Sequence, residues 1–237
     1  MSTAPDLLDV YGLSAFYPGG EESLVLEDVS FSVAEGEKIA LLGANGAGKS
    51  TLLLTLMGII EPHSGRIEVE GTVLEKKTLP LIRRKLGLLF QNPDDQLFMP
   101  TVYEDVIFGL QNNSVDTAGR DAAAILERLE ITHLKDRMPH NLSGGEKRLA
   151  ALASVLVMEP RLLLADEPSA FLDPRARRRL IAVLESLSQA CLIATHDSGL
   201  ILSLCARCMV LHSGRIRADG PAAAIIGDRA LLESCGL

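Results

Sequence analysis

Apolar and polar residues alternate, with many β-branched positions, in Leu7–Tyr17, Leu24–Val33 and Gly65–Val73. Glycine-bearing turns separate these runs, so they predict antiparallel strands. Shorter stretches are apolar without alternation: Ile39–Leu42, Leu86–Phe90, Leu162–Ala165, Leu192–Ala194 and Met209–Leu211. Uninterrupted hydrophobicity of that length suits strands covered on both faces, as in a parallel α/β sheet. Helical patterns lie between them at Lys49–Met57, Asp121–Leu129, Gly144–Met158, Pro174–Leu187 and Ser198–Leu204. The stretch from Asn92 to Asn141 differs in character. It is mostly helical, broken by Pro93, Pro100 and Pro139, with a polar connector at Gln111–Gly119. The expected architecture is an α/β core at 1–91 and 159–237, carrying an antiparallel β subdomain, with a helical subdomain inserted at about 92–158.

Composition supports a packed chain. Of 237 residues 47% are hydrophobic, enough for a sizeable core, but only 4% are aromatic and none is Trp, so aliphatic side chains must fill it. The net charge of −8 argues against a nucleic-acid binder, which would show a basic stripe to neutralise phosphates. The compact basic cluster Arg175, Arg177, Arg178 and Arg179 follows Pro174 and reads as the solvated face of a helix start. Cys205 and Cys208 have a metal-like spacing but no second pair. With Cys191 and Cys235 they are expected to be buried, reduced thiols. The N-terminus lacks the basic and apolar regions of a signal peptide. Runs such as Leu52–Leu56 and Ser154–Met158 are too short to span a membrane. Any membrane role must therefore come through a partner.

The clearest chemical signal is Gly43-Ala44-Asn45-Gly46-Ala47-Gly48-Lys49-Ser50, a P-loop pattern placed after an apolar strand and before a helix. Its glycines let backbone N–H groups wrap phosphates, while the helix N-terminus faces their charge. Lys49 is expected to reach the β- and γ-phosphates and the Ser50 hydroxyl to hold Mg²⁺, with Thr51 completing the ATP-binding run. A buried strand, Leu162–Ala165, then delivers Asp166 to the Mg²⁺ shell and Glu167 to a place where it can polarise water. The core is accordingly expected to be a P-loop NTPase, RecA-like. Leu142-Ser143-Gly144-Gly145-Glu146 opens another helical run and offers a second anion site.

With that third element the chain resembles the ABC ATPase family, whose signature motif stands between the two Walker motifs. The likeness runs from about Leu7 to Asp219. It implies roles for residues that would otherwise pass as ordinary. Gln91 matches the glutamine that senses Mg²⁺ and the γ-phosphate, Asp173 the D-loop, and His196 the switch histidine beside the catalytic carboxylate. Tyr17 stands where the family places a ring against adenine. The resemblance also implies a head-to-tail pair of two copies. In it Ser143, Gly144, Gly145, Glu146 and Asp173 act in trans on ATP held by the other copy.

The run Gln91–Phe98, followed by Pro100–Gly109, is similar to the ATPases of energy-coupling factor importers, especially cobalt and nickel transport ATP-binding proteins. That likeness implies a transmembrane scaffold subunit, a separate substrate-binding membrane subunit and a peripheral place on the cytoplasmic face of the membrane. The cargo is expected to be cobalt first, nickel second and a vitamin such as biotin third. Two features depart from the pattern: many relatives continue beyond the core into a C-terminal extension, and Glu146 stands where Gln is common. A small P-loop kinase would have no use for the signature. DNA-repair ATPases of the superfamily carry a long coiled coil that is not found between Phe90 and Leu142, and its translation factors carry two ATPase domains. Asp94 and Asp95, with no Lys or Arg nearby, and the segment Gln96–Phe108, whose Leu97, Phe98 and Met99 read as exposed, are expected to line the docking groove for scaffold helices bearing Arg.

Overall fold

The computed structural model describes residues 6–16, 24–112 and 121–237. In chain order the first elements are β1 (Leu8–Phe16), β2 (Leu24–Val33), β3 (Lys38–Leu42), α1 (Lys49–Leu56), β4 (Ser64–Val69) and β5 (Thr72–Val73). Next come α2 (Leu79–Lys85), β6 (Leu86–Leu89), α3 (Val102–Asn112), α4 (Ala122–Arg128) and α5 (Gly144–Leu156). The chain continues through β7 (Leu162–Asp166), α6 (Pro174–Glu185), β8 (Ala190–Ala194) and α7 (Ser198–Leu204). It then adds β9 (Arg207–His212), β10 (Arg215–Pro221), α8 (Ala222–Gly227) and α9 (Arg229–Ser234).

Two sheets result. The antiparallel one has the order β2-β1-β4-β5, and the larger has the order β10-β9-β3-β8-β7-β6, with β10 as an antiparallel edge. The uninterrupted apolar runs are its parallel strands. Their side chains alternate between two cores. Ile39, Leu41, Leu162, Leu164 and Leu192 join the cluster shared with α1 and the antiparallel sheet. Ala40, Leu42, Leu163, Ala165 and Ile193 join the cluster shared with α3, α4 and α5. Burial on both faces removes the need for polar alternation, and each buried Leu or Ile contributes about 1.5–3 kcal/mol.

α5 lies close on β6. A Cβ on Gly87 would overlap Val155 Cγ1 and come within 3.0 Å of Pro160 Cγ, so only glycine permits this approach. α5 carries the helix-start motif and β6 leads into Gln91, so their packing joins two parts of the site. Among the described residues no helix is long and apolar enough to cross a membrane, and all four cysteines are free and buried.

Candidate functional site

The parallel strands end on the same edge of the sheet, where ligands of open α/β folds bind. β3 delivers the P-loop, β7 delivers Asp166, and β8 leads into Thr195 and His196. The ladder extends past the strands, with Glu167 N donating to Ala194 O at 2.8 Å and Thr195 N to Leu41 O at 3.1 Å. Gly46 and Gly48 adopt φ of 81° and 105°, which opens the loop ahead of α1. A Cβ on Gly43 would stand 2.6 Å from Leu211 O, so the loop can begin against β9 only as glycine.

A cleft of about 400 Å³ is lined by Asn45, Gly46, Gly48, Lys49, Ser50, Thr51, Gln91, Asp166 and Glu167, along with Val25 and Ala44. Ala47 is buried beneath the loop, and Gly43 lines an adjoining cavity with His196. Lys49 is 6% exposed, and its Nζ donates to Gly43 O at 2.7 Å and Ala44 O at 3.3 Å. Glu167, equally buried, approaches Lys49 Nζ with Oε1 at 3.5 Å. The same Oε1 lies 3.0 Å from His196 Nδ1, and Oε2 accepts from Thr195 Oγ1 at 3.1 Å. Its backbone at φ 41° is strained for a non-glycine residue, as residues held in place by a site often are. The carboxylate is thus held from three sides and aimed at the loop.

Asp166 is the candidate metal ligand. Burial pushes its carboxyl up from the ordinary value, opposed by hydrogen bonding from Ser50. Its buried Oδ1 has no hydrogen-bond partner among the described residues. A buried carboxylate oxygen left unmatched beside a serine hydroxyl fits a hard divalent cation with oxygen ligands. The larger cavity of about 630 Å³ opens elsewhere, by Gly36, Arg161 and Ala190 at the starts of strands, away from this chemistry.

The helix-start motif is built differently. Ser143 caps α5 in a capping box: Glu146 Oε2 accepts from Ser143 N at 2.8 Å and from Ser143 Oγ at 2.7 Å. Those bonds hold the Glu146 carboxyl below its usual range. Asp173 caps α6 by accepting from Arg175 N and Ala176 N at 2.8 and 3.0 Å. Ser143, Gly144, Gly145, Glu146 and Asp173 are absent from the lining of the P-loop cleft. Tyr17 lies outside the described residues.

Two expectations about the acidic pair need correction. Asp94 does have a cation nearby, because Lys147 Nζ donates to its Oδ1 at 2.5 Å from the first turn of α5, far away in sequence. Leu97 is buried at 6% exposure, whereas Phe98 is exposed and meets Phe108 edge to face with centroids 4.8 Å apart.

Several supporting residues were missed. Arg148 is buried and donates to Phe90 O at 2.7 Å and Gln91 O at 2.6 Å, fixing the turn that carries Gln91. Asp197 accepts from Arg177 Nε at 2.7 Å, Ser169 Oγ at 3.0 Å and Leu200 N at 3.0 Å. The Arg177 bonds hold its carboxyl down at about 2. Arg177 therefore ties the segment after His196 to α6, and the arginine run is only partly a solvated face. Asp197 was legible as a helix N-cap before an apolar run.

A phosphate-cradling loop, a buried lysine and a positioned carboxylate on one sheet edge define a P-loop nucleoside triphosphatase. The family model for ABC transporters matches residues 26–170. The chain is 43% identical to the cobalt import ATP-binding protein CbiO of Rhodobacter capsulatus, over 98% of this chain and 84% of that one. It is 41% identical to the energy-coupling factor transporter ATP-binding protein EcfA of Carboxydothermus hydrogenoformans, over 97% and 86%. The solved structure of cbiO1 from Clostridium perfringens, described as part of the ABC transporter complex cbiONQ, superposes with a TM-score of 0.83 at 35% identity, covering 97% of this chain and 94% of that one. The chain belongs to the ABC transporter family, as an ATP-binding subunit of energy-coupling factor type, and it hydrolyses ATP to drive transport.

Proposed function

We propose that this subunit powers import of a transition-metal ion, cobalt before nickel, with a vitamin such as biotin the third choice. It works as a head-to-tail pair of copies bound to a transmembrane scaffold and a substrate-binding membrane subunit, peripheral on the cytoplasmic face. The observation that carries the pairing is the split between two faces. Lys49 and Glu167 meet at 3.5 Å in one cleft, whereas Ser143 and Asp173 cap helices outside its lining.

In this reading the ATP phosphates lie along the P-loop N–H groups, and Lys49 exchanges its bonds to Gly43 O and Ala44 O for the β- and γ-phosphates. Ser50, Asp166 and Gln91 would hold Mg²⁺, which when bound supplies charge neutralisation at the phosphate oxygens. Glu167 orients water and accepts its proton as the oxygen attacks the γ-phosphorus and the bond to the bridging oxygen breaks, releasing ADP and phosphate. His196 and Thr195 keep that carboxylate aimed. Ser143 and Gly145 of the second copy close over the γ-phosphate, and Asp173 approaches with them. Tyr17 would face adenine.

Docking centres on Asp95, Phe98 and Phe108, with Asp94 a lesser contributor because Lys147 already matches it. Replacing both Asp94 and Asp95 with Asn should release the scaffold while sparing ATPase activity of the free pair. Losing one side of a desolvated interfacial pair costs roughly 2–5 kcal/mol. Copurification with the membrane subunits, followed by cobalt, nickel and biotin uptake, tests the whole reading. Scaffold binding undiminished in the double variant would exclude the acidic pair, and uptake of none of the three would exclude the cargo assignment.

A further inference from the structure

Glu167 sits at φ 41°, a conformation that a non-glycine residue keeps only where its surroundings over-determine it. One carboxylate oxygen, Oε1, faces Lys49 and His196. The other, Oε2, accepts from Thr195 Oγ1 at 3.1 Å. Thr195 is fully buried, and its hydroxyl also accepts from Asp197 N at 3.1 Å. A hydroxyl has one proton to give, and of these two partners only Glu167 Oε2 can take it, which fixes the direction of the bond. Asp197 is gripped in turn by a fork: Arg177 Nε donates to Oδ2 at 2.7 Å and Nη2 to Oδ1 at 2.8 Å. Ser169 Oγ donates to Oδ2 at 3.0 Å, and Leu200 N to Oδ1 at 3.0 Å. A Cβ on Gly199 would stand 2.9 Å from Arg177 Nη2, so the glycine leaves the guanidinium its room.

We infer that Thr195, Asp197 and Arg177 are positioning residues for hydrolysis, a hydrogen-bonded strut that runs from α6 to Glu167 and fixes which oxygen its carboxylate turns to the cleft. The inference rests on the reading of Glu167 as the group that orients water. Both partners of Oε1 stand where nucleotide binds: Lys49 lines the P-loop cleft and His196 the cavity beside it. In that reading Lys49 turns to the phosphates. Thr195 lines neither space, so its bond to Oε2 is the one that outlasts nucleotide binding. The strut also dries inward. The side chains of Arg177 and Asp197 are 31% and 24% exposed, whereas Thr195 is sealed from water. Solvent screens the outer ion pair and leaves the inner hydrogen bond at its strongest. Through Ser169 the Asp197 carboxylate further joins the segment after β7 to the segment after β8, the two that carry Glu167 and His196.

The test is a double-variant cycle on the full chain with MgATP. Thr195→Val keeps the shape and removes the hydroxyl. It should lower kcat by up to about 100-fold while KM and the ATP affinity of the single chain stay the same, and Thr195→Ser should recover most of the loss. Arg177→Gln, acting from the screened end, should give a smaller loss of kcat in the same direction, with Arg177→Lys between the two. The same changes are then made in a Glu167→Gln chain and residual hydrolysis is followed in single turnovers. There Thr195→Val should add no further loss, because the group it aims has already been removed. Should the valine chain fail to fold, Arg177→Gln carries the same comparison. An unchanged kcat, or an equal fold-loss with Glu167 and with Gln at that position, overturns the strut and leaves Glu167 standing as the residue that orients water. Hydrolysis by the Glu167→Gln chain at the unaltered rate overturns the reading on which the strut rests.

Discussion

The P-loop cleft and the signature face hold their functional groups in opposite ways. Lys49 and Glu167 are each 6% exposed and find partners within their own chain. Ser143 and Asp173 are exposed, and both spend their oxygens on capping their own helices. The cleft is organised by contacts within one chain. The signature motif is organised too, as a capped helix start, but its residues do not line the cleft. One chain therefore organises a phosphate cleft by itself while its capped helix starts stay outside that cleft, as the proposed pairing of two copies requires.

The largest expected effect falls on the cleft. Glu167→Gln removes the proton acceptor while keeping Oε1 as a partner for His196. Hydrolysis should drop by about 10²- to 10⁴-fold with ATP binding retained, and gel filtration with MgATP should show a lasting pair. Hydrolysis at the unaltered rate would reject Glu167 as the base. Lys49→Ala comes next. It removes the cation facing the phosphates and should weaken ATP binding by about 10- to 100-fold, measured by calorimetry.

Gly87→Ala sharpens the comparison between faces. The added carbon meets Val155 Cγ1, so α5 must move off β6 and take the signature with it. Stability in urea should fall by about 1–3 kcal/mol, and ATP affinity of the single chain should stay the same. A matching loss of affinity would mean that the two faces are not independent. The smallest effect concerns Asp197, whose carboxyl is held at about 2 by Arg177. Its folded value is depressed below the ordinary 3.8, so its stabilisation is complete above that value and is lost as pH falls through about 2. Asp197→Asn, partly screened by solvent, should cost about 1 kcal/mol at neutral pH. Its stability curve should also be flatter than that of the unaltered protein between pH 4 and 2. Identical slopes would show that Arg177 does not act through this charge.

Much of this was legible in the sequence because it is local. Gly43–Ser50 specifies its own turn, and apolar runs such as Leu162–Ala165 announce strands buried on both sides. β10 escaped because Arg215–Pro221, at a sheet edge, alternates only between exposed and half-buried positions. α2 escaped behind Lys76, Lys77 and a proline. The contacts that fix the site are long-range, and spacing does not reveal them. Arg148 reaches Gln91 across 57 positions, and Lys147 reaches Asp94 across 53. Residue types at those positions read as an ordinary charged helix face, so the supposed unmatched acidic pair followed from sequence distance alone.

In the proposed pair, the P-loop of one copy and the signature of the other make one ATP site. Ser143→Arg and Lys49→Ala chains should each lack hydrolysis alone, the first because its signature is blocked and the second because its loop has lost the cation that faces the phosphates. Mixed in equal amounts, they form some pairs in which the intact loop of the Ser143→Arg chain meets the intact signature of the Lys49→Ala chain. The steady-state ATPase rate of the mixture should therefore rise well above that of either chain alone. A Ser143→Arg chain that hydrolyses ATP by itself at the unaltered rate would contradict the account.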